Sequence, residues 1–285
     1  MDRLLLGIFL AALASGCATP VAAPGIMWAP GDSCAVSFRG TLPVIDASVA
    51  NANRRKSAKL VLDTGCEGVA LSTSLVAALQ LPALHKLVRY EGEPVDKGGV
   101  GDGRSVTYGV GWVDVPGCFV LQGGEAIGVK MPGEIDALAG LSAFPDRAVV
   151  LDAPQKRVYF VTRDVADQLC AVEGCVAMPA HRVRNTLRVQ VTIASLKADF
   201  LVDTGARYSW ISPTIARGAA VNGTIQGRLR SGQADLGLRV LRVESDGRLA
   251  GSIGSDVLLG LGRAVLLDLE SERVVLLPVL GPQVR

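Results

Sequence analysis

Short apolar or β-branched runs bounded by turn residues recur along this chain: "KLVL" (59–62), "RAVVLD" (147–152), "KRVYFV" (156–161), "LRVQVTI" (187–193), "DFLV" (199–202) and "RVVLLPVL" (273–280). Runs of this length and composition predict strands, because branched side chains suit a pleated, half-buried surface. "STSLVAAL" (72–79) and "SPTIARGA" (212–219) read instead as short helices opened by a serine or threonine cap. The pattern therefore predicts a mainly β protein with minor helix. Composition agrees, with 33 glycines and only 5% aromatic residues favouring a turn-rich β fold over a helical bundle.

The elements repeat. "DTGCEGVALSTSLVAAL" follows the strand ending at Leu62, and "DTGARYSWISPTIARGA" follows the one ending at Val202. Leu71-Ser72 falls opposite Ile211-Ser212, and Leu75 opposite Ile215. One Asp-Thr-Gly arises by chance in about a tenth of chains this long, so the extended match carries the argument, not the tripeptide. A second block repeats too: "GLSAFPDRAVVLDAPQKRVYF" from Gly140 aligns with "GSDVLLGLGRAVLLDLESERVVLL" from Gly254. With a two-residue gap, Arg147-Ala148-Val149 meets Arg263-Ala264-Val265, Asp152 meets Asp268, and Arg157-Val158 meets Arg273-Val274. A period this long implies two homologous domains and not a solenoid. The expected division is a leader over 1–16, a linker over 17–30, a first lobe over 31–166, an inter-lobe linker over 167–178 and a second lobe over 179–281.

An aspartate closing a strand is ordinarily a turn residue whose side chain bonds a nearby backbone amide. Two such acids, each behind a buried-looking strand, call for another explanation, because ionised carboxylates near apolar surroundings are costly unless paired or used. If equivalent loops of two packed lobes meet, Asp63 and Asp203 come together and share a proton, one serving as base and the other as acid. Such a pair can deprotonate a water, direct it at an amide carbonyl and protonate the departing nitrogen.

Both "DTG" copies, each followed by a hydrophobic pair before or at serine ("ALS", "WIS") and later by an apolar-Gly element ("LAG", 138–140; "SIG", 252–254), resemble the aspartic proteases of the retropepsin and pepsin type. More narrowly, "IGSDVLLGLGRAVLLDLESERVVLL" is similar to the bacterial retropepsin-like enzymes. The likeness spans most of 59–277. It implies two β-rich lobes of the acid-protease type related by a pseudo-twofold axis, with an active-site cleft between them. It also implies that Asp63 and Asp203 are catalytic, that Thr64 and Thr204 link the two loops, and that Gly65 and Gly205 allow close backbone approach beneath the carboxylates. A β-hairpin flap is implied as well. The first copy is the longer, with 84 positions from Asp63 to Arg147 against 60 from Asp203 to Arg263. The extra length contains the glycine-rich "VDKGGVGDGRSVTYGVGW", whose Gly98, Gly99, Gly101 and Gly103 would form a single flap's tip. Where pepsin-like enzymes place a hydroxyl residue after "DTG", this chain has Cys66 and Ala206, which predicts a raised titration and a mildly acidic to neutral optimum.

The remaining features narrow the setting. Twenty-nine basic against 27 acidic residues, without a long basic block, disfavour nucleic acid as a partner. "GLSAF" is not the G-x-S-x-G of a serine hydrolase, and the only histidines, His85 and His181, stand alone, so neither metal nor any other cofactor is expected. "MDRLLLGIFLAALASGC" has a basic residue, an apolar run too short to span a bilayer, then small residues before Cys17, and it resembles the signal peptide and lipobox of bacterial lipoproteins. Lipidation at Cys17 would tether the body to a membrane in the periplasm, the residue Ala18 favouring the outer membrane; cleavage near Ala18 or Ala22 would instead give a soluble periplasmic or secreted protein. Export permits disulfides, with Cys170 and Cys175 in "CAVEGC" the expected pair and Cys34 with Cys118 a weaker one. The expected protein is a monomeric endopeptidase acting on proteins or peptides of the cell envelope. The alternative is a catalytically inactive peptide-binding or inhibitory lipoprotein of the same fold.

Overall fold

The computed structural model of the protein describes residues 33–89, 104–115, 119–131, 133–217, 221–244 and 249–278. Cys17, Cys118 and the flap-tip glycines Gly98, Gly99, Gly101 and Gly103 lie outside the described residues. The chain is mainly β. Its strands in order are Ser33–Ala35 (β1), Ser37–Arg39 (β2), Leu42–Ala50 (β3), Arg55–Leu62 (β4), Val69–Ser72 (β5), Ala83–Arg89 (β6), Arg104–Val115 (β7), Phe119–Val129 (β8), Ala137–Ala139 (β9), Ala148–Asp152 (β10) and Arg157–Val161 (β11). There follow Val176–Met178 (β12), Ala180–Val183 (β13), Thr186–Ile193 (β14), Leu196–Asp203 (β15), Trp210–Ile211 (β16), Thr224–Ser231 (β17), Ala234–Val243 (β18), Gly251–Gly254 (β19), Ala264–Asp268 (β20) and Arg273–Leu277 (β21). Among the described residues the α-helices Thr73–Leu79 (α1), Arg163–Cys170 (α2) and Ser255–Leu258 (α3) are interspersed.

Two sheets close on themselves through the same cyclic order. β3-β4-β9-β5-β8-β7 returns to β3, and β14-β15-β19-β16-β18-β17 returns to β14. Closure removes the free edges that an open sheet would leave to solvent. The third sheet joins the two copies in the order β1-β11-β10-β20-β21-β12, so that equivalent strands take mirrored places from either end. At its centre β10 and β20 run antiparallel, with Val150 opposite Leu266. The duplication thus extends back to β1-β2-β3 and β12-β13-β14, before the stretch in which the residues match. β12 stands within the expected inter-lobe linker of 167–178, which also holds the end of α2.

"AVVLD" and "AVLLD", β10 and β20, are buried throughout instead of alternating, because the central sheet is covered on both faces. Val149, Leu151, Val265 and Leu267 face the main core, while Ala148, Val150, Ala264 and Leu266 pack with Ala166 and Leu169 of α2. The first predicted helix forms as α1, with the Ser72 hydroxyl accepting from the Leu75 N–H as its cap. The second does not: Ser212 accepts from Ile215 and Ala216, but Pro213–Arg217 is only a turn, and Arg217 has a left-handed φ of 51° that stops propagation.

Equivalent turns after β10 and β20 carry Asp152 and Asp268, each accepting a backbone N–H, from Gln155 and Ser271. Their other oxygens differ. Asp268 Oδ2 accepts from Arg273 at 2.7 Å, whereas Asp152 Oδ2 is buried with no hydrogen-bond partner among the described residues, since Arg157 turns to Ser33. Burial raises both pKa values, but at Asp268 the Arg273 and Ser271 bonds outweigh it and hold the carboxyl below its ordinary range. Asp268→Asn is therefore expected to cost about 1–3 kcal/mol at neutral pH, with most of that cost disappearing once acid has protonated Asp268 in the parent. Asp152→Asn is expected to cost much less. Urea melts of both variants at pH 7 check this, and equal losses would contradict the assignment.

Candidate active site

Each Asp-Thr-Gly loop starts at the end of a central barrel strand and crosses over the strand beside it. β4 runs parallel to β9, Asp63 N–H bonds Ala139 C=O at 3.0 Å, and the chain then passes to the far side of β9 as β5. β15, β19 and β16 repeat this course around Asp203. The crossing explains the "LAG" and "SIG" glycines. A Cβ at Gly140 would collide with the Cys66 carbonyl oxygen, and one at Gly254 would lie 2.8 Å from the Tyr208 carbonyl carbon.

The two loops are tied by a reciprocal set of hydrogen bonds. Thr64 N–H donates to Thr204 Oγ1 at 3.2 Å, and Thr204 N–H to Thr64 Oγ1 at 3.0 Å. Each hydroxyl donates in turn across the junction, Thr64 to Val202 C=O and Thr204 to Leu62 C=O, both at 2.6 Å. Both threonines are buried, so threonine is needed here as donor and acceptor at once. Gly65 and Gly205 sit against the opposite loop's acid. A Cβ at Gly65 would approach Asp203 Cγ to 2.7 Å, and one at Gly205 would collide with Asp63 Cγ.

Asp63 and Asp203, 140 positions apart, are thereby brought side by side and half-buried, close enough that each bears on the other's proton affinity. Each accepts from its own loop: Asp203 Oδ1 from the Gly205 and Ala206 N–H groups, each at 2.9 Å, and Asp63 from Gly65 at 3.0 Å and from the Cys66 N–H. Burial raises both pKa values. At Asp63 the Asp203 charge and the shared hydrogen bond raise it further, so that it lies well above the ordinary value; at Asp203 the bonds from Asp63, Ala206 and Gly205 offset part of the rise. Both acids therefore hold a proton more tightly than isolated carboxyls do, and they titrate as a pair.

The Cys66 thiol points to Gly68 C=O at 3.3 Å. Cys170 and Cys175 are remote from the pair, at the end of α2 and the turn beyond it. Both are thiols in the structure, Cys175 donating to Leu169 C=O at 3.0 Å; the disulfide between them stays a proposal. β6 and β7 form a hairpin that leads into the glycine-rich segment, with Arg89 opposite Arg104. Among the described residues no group of three or more His, Cys, Asp or Glu is placed to hold a metal ion.

Sequence reading missed a second tier of ties. Thr41, in the β2–β3 turn, donates to Arg207 C=O at 2.9 Å, and Asn185, in the equivalent β13–β14 turn, donates to Glu67 C=O at 3.1 Å. Glu67 and Arg207 each stand four positions after their aspartate. Ser142 and Ser255 add hydroxyl bonds to Glu67 C=O and Ala206 C=O. The signal that could have located them is the pair of tight turns, "RGT" and "RNT", at equal places in the two copies. Compared with known proteins, the chain matches no family model and no curated protein sequence.

Proposed function

We propose that this protein is an aspartic endopeptidase in which two acid-protease-type lobes, related by a pseudo-twofold axis, bind an extended peptide in a cleft between them. The observation that carries this reading is the carboxyl pair itself, held by crossed threonine bonds, with the proton affinity of both acids raised by burial. Asp203 accepts a proton from a water molecule as its oxygen attacks the scissile carbonyl carbon, and Asp63 gives its proton to the carbonyl oxygen. The resulting diol returns a proton to Asp63 as the C=O bond re-forms. The proton on Asp203 passes to the nitrogen as the C–N bond breaks, leaving a carboxylic acid, an amine and the pair in its starting state. No covalent intermediate with the protein is required. Cell-envelope proteins are the proposed substrates, with Cys17 the proposed lipid anchor.

The test is cleavage of a denatured protein library by purified protein, with new chain ends read by mass spectrometry, in the presence and absence of a statine-type inhibitor. Inhibitor-sensitive new ends are expected; a library left intact would refute the reading. The pH profile has a definite sign. Activity requires one proton on the pair, so it falls on the acid side as Asp203 protonates and on the alkaline side as Asp63 ionises. Both values are raised, which places the optimum in the mildly acidic to neutral range. A rate profile peaking sharply below about pH 3 would contradict this.

A further inference from the structure

The two loops diverge just beyond the carboxylates. Four and five positions after Asp63 stand Glu67 and Gly68; the corresponding residues after Asp203 are Arg207 and Tyr208. Glu67 faces Arg184 at 3.6 Å, an acid set against a base. Arg207 is exposed and has no ion-pair partner among the described residues. Beside it the Arg242 guanidinium lies 3.8 Å over the Tyr208 ring, again with no acid paired to it among the described residues. β18 holds Arg242 there through its register opposite Trp210 and its N–H bond to Ser209 C=O at 3.1 Å. In the first barrel the position matching Trp210 is Ala70, opposite Ile127, and Gly68 replaces the ring. Among the described residues, the loop after Asp63 thus sets an acid against a base, whereas the loop after Asp203 carries two cations with no ion-pair partner, its nearby acid Asp256 being taken up by Ser209.

We propose that the second-barrel side of the carboxyl pair accepts an acidic residue of the bound peptide, held by Arg242 on its Tyr208 platform with Arg207 adjacent. This deepens the reading of the site as one that binds an extended peptide, and it rests on that reading. Stacking fixes the guanidinium plane while leaving its edge donors free for a bidentate carboxylate, a geometry that lysine could not supply. Distance fits. Ala206 N is 2.9 Å from Asp203 Oδ1, so the chain contour puts Tyr208 Cα within about 12 Å of the carboxylate, the span of three or four extended peptide residues. Acid on one side only would also fix the direction in which the peptide crosses the pair.

The experiment uses the full chain carrying Asp63→Asn, so that peptide is bound and not consumed, and labelled peptides of one sequence. A glutamate is stepped through positions on both sides of a central Leu-Phe bond, each peptide having a glutamine twin, and Kd is read by fluorescence polarisation. On one side only, glutamate is expected to bind about tenfold tighter than glutamine. Adding Arg207→Gln with Arg242→Gln should bring the ratio near one, and adding Arg242→Glu should turn the preference to a lysine peptide, which loss of packing on Tyr208 would not do. Equal binding of the twins at every position, no binding of any peptide, or a preference unchanged in the double glutamine variant would overturn the proposal. Wild-type protein that binds with the acid preference but cleaves nothing would refute the endopeptidase reading alone. Wild-type protein that cleaves both twins equally well would refute only this inference.

Discussion

Asp63→Asn and Asp203→Asn are each expected to lower kcat for peptide cleavage by at least about a thousandfold, the scale of a lost general acid or base. The fold should survive, because asparagine keeps the oxygen that accepts from Gly65 in one case and from Gly205 and Ala206 in the other. The two variants fail differently. On the proposed mechanism, Asp203→Asn leaves no base to take a proton from water, whereas the amide introduced by Asp63→Asn can still donate a hydrogen bond to Asp203 but has no proton to transfer. Stability separates them further. The raised pKa of Asp63 means that the folded state binds a proton more tightly than the unfolded chain, so stability is greatest below the ordinary carboxyl range. It declines as pH rises through that range to the raised folded value. Asp63→Asn escapes this decline and should melt higher than the parent at pH 7, by about 2–4 °C for each kcal/mol relieved, with the gain vanishing near pH 3. A variant retaining parental kcat would sink the dyad model, as would identical pH dependence of melting in parent and Asp63→Asn.

Thr204→Val is the second large effect. Valine has nearly the same shape but neither donates to Leu62 C=O nor accepts from Thr64 N–H, so two groups in a fully buried junction lose partners. At about 1–3 kcal/mol for each unsatisfied group, a loss of about 2–6 kcal/mol is expected, together with a fall in activity from a carboxyl pair no longer held side by side. Thr64→Val removes the mirror bonds to Val202 and Thr204. Because the four bonds form one network, the double variant should be destabilised by less than the sum of the single ones. Denaturant midpoints of the two single variants and the double measure this, and strictly additive losses would mean that the two threonines act independently.

Much of the framework is legible in the order of residues. "RAVVLD" and "RAVLLD" announce the same strand twice, and they occupy matching places in the central sheet, with Asp152 opposite Arg157 and Asp268 opposite Arg273. Less is legible where the copies have drifted. "SPTIARGA" carries the same cap as α1 but yields a turn, because helix formation depends on what the segment packs against as well as on its first residue. Nor does the turn chemistry of "FRGT" or "VRNT" by itself announce that Thr41 and Asn185 reach across to the opposite loop.

What the sequence by itself determined is whatever a duplication leaves as a repeated local pattern: the strands, the two Asp-Thr-Gly loops at their ends, the "LAG" and "SIG" glycines of the strands those loops cross, and the longer first copy. Periodicity and turn chemistry are short-range, so they survive in each copy and can be read by comparing the two. What only the tertiary structure decided is how the copies act on one another. Asp63 and Asp203 hold protons above the ordinary carboxyl range because folding buries them together, although they stand 140 positions apart in the chain. The guanidinium of Arg242 sits on Tyr208 because β18 runs beside β16. Proton affinity and charge balance depend on distance through space, and separation along the chain does not encode that distance.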